Sequence, residues 1–148
     1  MTRAEQAKEY FKQGYNCAQS VALAFTDLTG LSEQETARLA SSFGGGLGRM
    51  REVCGTVSGM ALVAGILFGY DDPKDMQAKS AHYALIQSLA GKFKEENGSI
   101  VCRELLGDRS QPTPTPEQRT PAYYKKRPCA ELVAMAADIL EDYIASRK

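Results

Sequence analysis

The 148-residue chain has no tryptophan, a single histidine (His82) and no excess of either charge, since 18 Lys and Arg residues balance 18 Asp and Glu residues. Nucleic-acid-binding proteins normally carry a basic excess, so the balance argues against that class and against an anionic membrane surface. The longest apolar run, Met60–Phe68, is interrupted by Gly65 and is far too short to span a bilayer. The first residues lack the apolar stretch of a signal peptide, so we expect a cytoplasmic protein.

The chain has four cysteines, and none of them belongs to a CxxC pair. The local signatures of zinc ribbons and thioredoxins are therefore missing. In a reducing cytosol an even number of cysteines does not imply structural disulfides, which leaves metal binding, redox chemistry or inert buried thiols. Because the cysteines are far apart in the sequence, the fold has to assemble any shared site from separate helices.

Helical periodicity dominates the chain. Ala4, Ala7, Tyr10 and Phe11, for example, recur at intervals of three and four and so share one face of a helix. Strand-like alternation is absent throughout. We therefore predict an all-α fold, a multi-helix bundle in which residues 1–148 form a single domain.

Two segments differ from this amphipathic pattern. The segment from about Arg51 to Gly69 is apolar on nearly every face and rich in glycine and alanine, which predicts a buried central helix that its neighbours approach closely. Residues at about 108–122 alternate proline with small polar residues and have no apolar face, which predicts an extended surface loop. One last helix is predicted after this loop, starting at Pro128.

The helix-start signals place all four cysteines in the first turn of a helix. A helix N-terminus presents unpaired N–H groups and about half a positive charge, which favours a thiolate over a thiol. The pKa of cysteine falls from about 8.5 to about 3.5–7.5 in such settings. The cysteines are Cys17, Cys54, Cys102 and Cys129. Four arginines close to them in the sequence are expected to add positive charge: Arg49, Arg51, Arg103 and Arg127.

Four segments of the chain resemble a bacterial and archaeal family of redox-active proteins named for its C…GCAxxG…C…C pattern. The segments are GYNCAQSV at Gly14–Val21, VCGTVSG at Val53–Gly59, CRELLG at Cys102–Gly107 and CAELVAMAADIL at Cys129–Leu140. They occur in the family's order and cover most of the chain. One position departs from the pattern, because Val53 precedes Cys54 where the family has glycine.

The resemblance implies a helical fold with Cys17, Cys54, Cys102 and Cys129 as the functional residues. A related domain occurs in the split-Soret type of cytochrome, where the cysteines are associated with a non-haem iron site. This chain has no CxxCH segment, so covalent haem attachment is not expected.

Three functions remain open at this point. In the first, the four cysteines bind an iron–sulfur cluster or a tetrahedral zinc ion and the protein passes electrons to a redox partner protein; aerobic purification would then leave no cofactor. The second is metal-free thiol–disulfide chemistry, with Cys54 as the attacking thiol and another, such as Cys17, resolving. The third is a non-catalytic interaction protein, a homodimer built on small-residue helix faces and the Met60–Phe68 stretch.

Overall fold

A computed structural model of the chain describes residues 1–107 and 111–147, apart from the side chains of Lys125 and Lys126. Over these residues the chain forms nine α-helices, a 3₁₀ turn at Ser41–Phe43 and one isolated backbone pairing of Val53 with Val101, and no strand. The predicted all-α fold is confirmed. The helices are α1 (Arg3–Lys12), α2 (Cys17–Leu23), α3 (Thr26–Thr29), α4 (Glu33–Ala40), α5 (Gly55–Phe68), α6 (Met76–Asn97), α7 (Cys102–Leu106), α8 (Pro121–Lys126) and α9 (Cys129–Ser146).

Reciprocal capping boxes fix the start of three helices. In each box a side chain accepts a hydrogen bond from the third helical N–H, and the third side chain accepts one from the cap N–H. The pairs are Thr2 with Glu5 (α1), Asn16 with Gln19 (α2) and Ser32 with Glu35 (α4). The SEQE segment of the sequence predicts the box at Ser32, which is confirmed. The box at Asn16 is the one that makes Cys17 the first residue of α2.

Two helix starts differ from the prediction. The central helix α5 begins at Gly55 rather than near Arg51, because Arg51 has a left-handed backbone and Val53 pairs with Val101 in an isolated bridge. The DDPKD segment predicts a helix start with Asp72 as the cap. Helix α6 instead begins at Met76 with Asp75 as its cap, and Asp72 accepts a hydrogen bond from the Lys74 N–H within a turn.

The part of the chain after the proline-rich loop contains one helix that was not predicted. The short helix α8 lies between the proline-rich loop and α9, so two helices follow the loop rather than one. Within the predicted loop, residues 111–120 contain no helix or strand, and residues 108–110 lie outside the described part of the chain.

The central helix α5 packs against α2 at very close range. A Cβ atom added to Gly59 of α5 would lie 2.6 Å from the carbonyl oxygen of Ala18 in α2, so only glycine fits at this crossing. Met60 and Val63 of α5 are fully buried beside it, whereas Ile66 is 42% exposed. The predicted burial of this helix is thus confirmed for its N-terminal half, which begins directly after Cys54.

No helix within the described ranges is both long enough and apolar enough to span a bilayer.

Candidate cysteine and arginine site

The four cysteines lie at the N-termini of four helices. Cys17, Cys102 and Cys129 are the first residues of α2, α7 and α9, whereas Cys54 immediately precedes α5 as its cap residue. The predicted first-turn placement is therefore correct for three cysteines and off by one residue for Cys54. All four are free thiols.

One cavity of about 450 Å³ is lined by three of the cysteines, and the fourth is buried and is not among the lining residues. The three that line it are Cys17, Cys102 and Cys129. Cys54 is only 5% exposed, and its sulfur lies 3.1 Å from the hydroxyl oxygen of Thr56. The sulfur of Cys17 rests on Gly55, the residue after Cys54, where an added Cβ would come within 2.5 Å of it. Cys17 therefore borders the cavity and also lies against the residue that follows Cys54.

The thiols also interact with one another electrostatically. Burial raises the pKa of Cys54 and of Cys129 to about 12, and in both cases the charge on a Cys17 thiolate raises it further. Burial likewise raises the pKa of Cys17, with a further contribution from Cys102. Cys17 and Cys102 are thus each electrostatically linked to all of the other three cysteines.

The predicted low thiol pKa is wrong for these three cysteines. The helix N-terminal effect exists, since the N–H groups of Gly45 and Ala18 hydrogen-bond to Cys17 and favour its thiolate. Loss of hydration on burial has the opposite effect and is the larger of the two. Thiols with such raised pKa values are protonated at neutral pH.

The raised thiol pKa values predict that the folded protein loses stability at alkaline pH. An unfolded cysteine titrates near 8.5, whereas Cys54 and Cys129 titrate at about 12 when folded. Between these values the folded state holds more protons, so the free energy of unfolding is highest below about pH 8.5 and falls as the pH rises towards 12. Urea unfolding from pH 7 to 11 measures this slope.

The Cys54→Ala variant provides the control for this prediction. Tyr123, whose pKa burial also raises to about 12, contributes in the same direction and is retained in the variant. The slope above pH 8.5 should therefore decrease in the variant without disappearing. An identical slope in both proteins would contradict the assignment of a raised pKa to Cys54.

Four arginines line the same cavity: Arg49, Arg51, Arg119 and Arg127. Arg51 is 5% exposed, and its Nη1 lies 3.7 Å from the sulfur of Cys102. The only carboxylate among the described lining residues is Glu117, which forms an ion pair with Arg127 and lies 4.0 Å from Arg49. Positive charge therefore exceeds negative charge around the cavity.

A left-handed turn over residues 44–51, here called the glycine turn, brings two of these arginines to the cavity. Gly45, Gly46 and Gly48 have positive φ, as do the non-glycine residues Leu47 (70°), Arg49 (62°) and Arg51 (63°). A left-handed conformation costs a non-glycine residue roughly 1–2 kcal/mol. The turn is held by main-chain bonds such as Arg51 N–H to Gly45 O (3.1 Å). The dense glycines of the sequence are thus explained by this turn.

The proline-rich loop forms one wall of the cavity. The guanidinium of Arg49 donates hydrogen bonds to the carbonyl oxygens of Thr113 and Thr115, and Arg51 Nε donates to that of Gln111 at 3.0 Å. Arg119, at the end of the loop, donates to the carbonyl oxygens of Phe11 (2.5 Å) and Tyr15 (2.8 Å). Sequence patterns did not indicate that this loop covers the cysteines, because it is held by contacts distant along the chain.

The thiols have the right chemistry for iron–sulfur or zinc ligation, but their present positions do not form such a site. Among residues 1–107 and 111–147, no three Cys, His, Asp or Glu side chains are grouped so that they could share one metal ion. The single histidine, His82, lies on α6 beside Tyr70, with ring centres 6.2 Å apart, and is not a cavity residue.

Comparisons with known proteins give one match. Neither the curated proteins nor the solved structures contain a significant match to the chain. A family model described as "Putative redox-active protein (C_GCAxxG_C_C)" matches residues 15–143, a range that includes the four cysteines, the glycine turn and the four cavity arginines. Since the match covers most of its length, the chain belongs to the C_GCAxxG_C_C family of redox-active proteins.

Proposed function

We propose that the protein works through reversible oxidation of its thiols, with Cys17 as the thiol that reacts with the substrate. The observation that supports this is the position of Cys17, which borders the cavity and rests on Gly55 beside Cys54. In the reaction Cys17 gives up its proton, the N–H groups of Gly45 and Ala18 stabilise its thiolate, and the thiolate attacks a substrate disulfide. One substrate sulfur leaves as a thiolate and takes up a proton to become a thiol. A second cysteine then attacks the mixed disulfide and releases the other thiol, so two cysteine thiols become one disulfide as one substrate disulfide becomes two thiols.

Cys54 is the second cysteine that the geometry favours. It is buried and is not among the cavity residues, so a substrate does not meet it directly, but it lies next to the residue on which Cys17 rests. The sequence suggested the reverse order, with Cys54 attacking and Cys17 resolving. Burial of Cys54 favours Cys17 as the attacking thiol, because attack requires access to the substrate.

A second candidate function is an iron–sulfur or zinc centre bound by Cys17, Cys54, Cys102 and Cys129, with electron transfer to a redox partner protein. The arginines favour it, because a cluster held by several thiolates carries negative charge that nearby guanidinium groups stabilise. A bound metal ion also deprotonates thiols whose pKa is otherwise high. The present spacing of the side chains is the observation against it.

Counting thiols and metal in the same sample separates the two functions. The protein is purified anaerobically, its iron and zinc are measured, and its thiols are counted in denaturant before and after mild oxidation with diamide. We expect four thiols, a loss of two on oxidation, recovery with dithiothreitol and no stoichiometric metal. Stoichiometric iron with visible absorption, or stoichiometric zinc, would replace the first proposal by the second. A metal-free protein whose thiol count does not change would overturn both.

A further inference from the structure

The cavity has a concentration of positive charge that thiol–disulfide exchange alone does not require. Arg51 is almost fully buried, yet within the described chain its hydrogen bonds go to a carbonyl oxygen and a sulfur and to no carboxylate. The Nη2 atom of Arg51 takes part in neither of these two hydrogen bonds, which are made by Nε and Nη1. Arg119 likewise donates to two main-chain carbonyl oxygens. Burying a cation without a carboxylate partner is costly, and an anionic ligand in the cavity would offset that cost.

The backbone around these arginines indicates the same role. Arg49 and Arg51 both have left-handed conformations, which cost energy at non-glycine positions. Such conformations persist where the surrounding structure fixes them, and they concentrate at ligand-binding positions. Glycine would fit either position without this strain, but it would lose the guanidinium groups, which both hold the proline-rich wall and line the cavity.

The remaining lining of the cavity narrows the ligand class. Its volume of about 450 Å³ is in the range of small-molecule sites, roughly 300–1,000 Å³. Phe11, Leu105 and Leu132 provide apolar surface, and Arg119 stacks on the ring of Phe11 at 4.2 Å. The guanidinium group matches the geometry of carboxylates and phosphates with paired hydrogen bonds. These groups line the same space as Cys17, a half-buried residue.

We infer that the cavity binds an anionic low-molecular-weight thiol or its disulfide. Arg49 and Arg51 bind the carboxylate or phosphate groups of this molecule, and the bound molecule's sulfur faces Cys17. The part that concerns sulfur rests on the proposed function, whereas the anion-binding part rests on the arginines alone. In the exchange, one molecule of the small disulfide gives two small thiols as two cysteine thiols form one disulfide.

Redox-inert probes test the anion site separately from the thiol chemistry. S-methylglutathione carries carboxylates and desulfo-coenzyme A carries phosphates, and neither has a thiol that reacts with the protein. Isothermal titration calorimetry should show binding of at least one probe to the reduced protein, and the preferred probe identifies the anionic group. Binding of neither probe would overturn the inference.

Matched arginine variants assign the binding. Arg51→Gln and Arg49→Gln should each weaken probe binding about tenfold or more, because each removes charge-assisted hydrogen bonds. Arg38→Gln, on the exposed face of α4 away from the cavity, is the control and should bind as the wild type does. Arg49 is the less buried of the two cavity positions, so its variant keeps the test valid if Arg51→Gln does not fold, as judged by circular dichroism. Equal binding by folded Arg49→Gln and by the wild type would overturn the assignment.

A variant with all four cysteines replaced by serine separates this inference from the proposed function. If it binds the probe normally while the wild type shows no change in thiol count on oxidation, the anion site stands and the thiol chemistry fails. If the wild type loses two thiols on oxidation but binds neither probe, the thiol chemistry stands and the anion site fails.

Discussion

Replacing Cys17 with serine should abolish the reversible loss of two thiols on mild oxidation. Cys17 borders the cavity and its sulfur lies against Gly55, the residue after Cys54, so its removal eliminates the cavity thiol placed beside the expected partner. Cys54 itself is buried and does not line the cavity, so it does not take the place of Cys17. Thiols counted in denaturant after diamide treatment, before and after dithiothreitol, measure the effect.

Two further variants identify the partner of Cys17. Cys54→Ser should also abolish the loss of two thiols, because it removes the expected resolving thiol. Cys129→Ser should retain it, because Cys129 lines the cavity but is not part of the proposed pair. A Cys17→Ser protein that still loses two thiols would show that the redox pair excludes Cys17.

Replacing Gly59 with alanine should lower the free energy of unfolding by about 3 kcal/mol, the upper part of the usual range for overpacking. The added Cβ would lie 2.6 Å from the carbonyl oxygen of Ala18 and 3.2 Å from the Cβ of Val21, and a main-chain oxygen does not move aside as a side chain does. Helices α2 and α5 would have to separate. Urea unfolding followed by circular dichroism measures the change.

Gly65→Ala is the matched control in the same helix. A Cβ atom at Gly65 has no neighbour within 4 Å, and alanine is favoured over glycine in a helix by about 1 kcal/mol. The control should therefore be as stable as the wild type or slightly more stable. Equal effects of the two substitutions would show that the close crossing of α2 and α5 does not limit stability.

The features of the fold that could be predicted from the sequence are those with local causes. The capping box at Ser32 depends on residues three positions apart, and the left-handed end of α6 at Gly98 depends on one glycine. The helix-start positions of the cysteines were predicted for the same reason. The start of α5 was not, because the left-handed backbone at Leu47, Arg49 and Arg51 is held by the surrounding structure against their own preference.

The chemistry of the site could be predicted only in part, because burial and distant contacts determine the rest. Arg49, Arg51 and Arg127 were expected near the cysteines and do line the cavity, whereas Arg103 pairs with Glu52 at 3.2 Å outside it. Arg119 comes from a distant segment and was missed. The raised thiol pKa values follow from desolvation, which sequence position does not reveal.

The homodimer, the single-domain organisation and the cytoplasmic location stay predictions.

The way in which the proline-rich wall is attached has an evolutionary consequence. Arg49 and Arg51 hold it through the carbonyl oxygens of Gln111, Thr113 and Thr115, which every amino acid possesses. Apart from Thr113, whose hydroxyl also accepts a hydrogen bond from Arg49, side chains at these positions can therefore change without loss of the attachment. Drift in the side chains of this wall is thus compatible with its retention, whereas a change of Arg49 or Arg51 alters the wall directly.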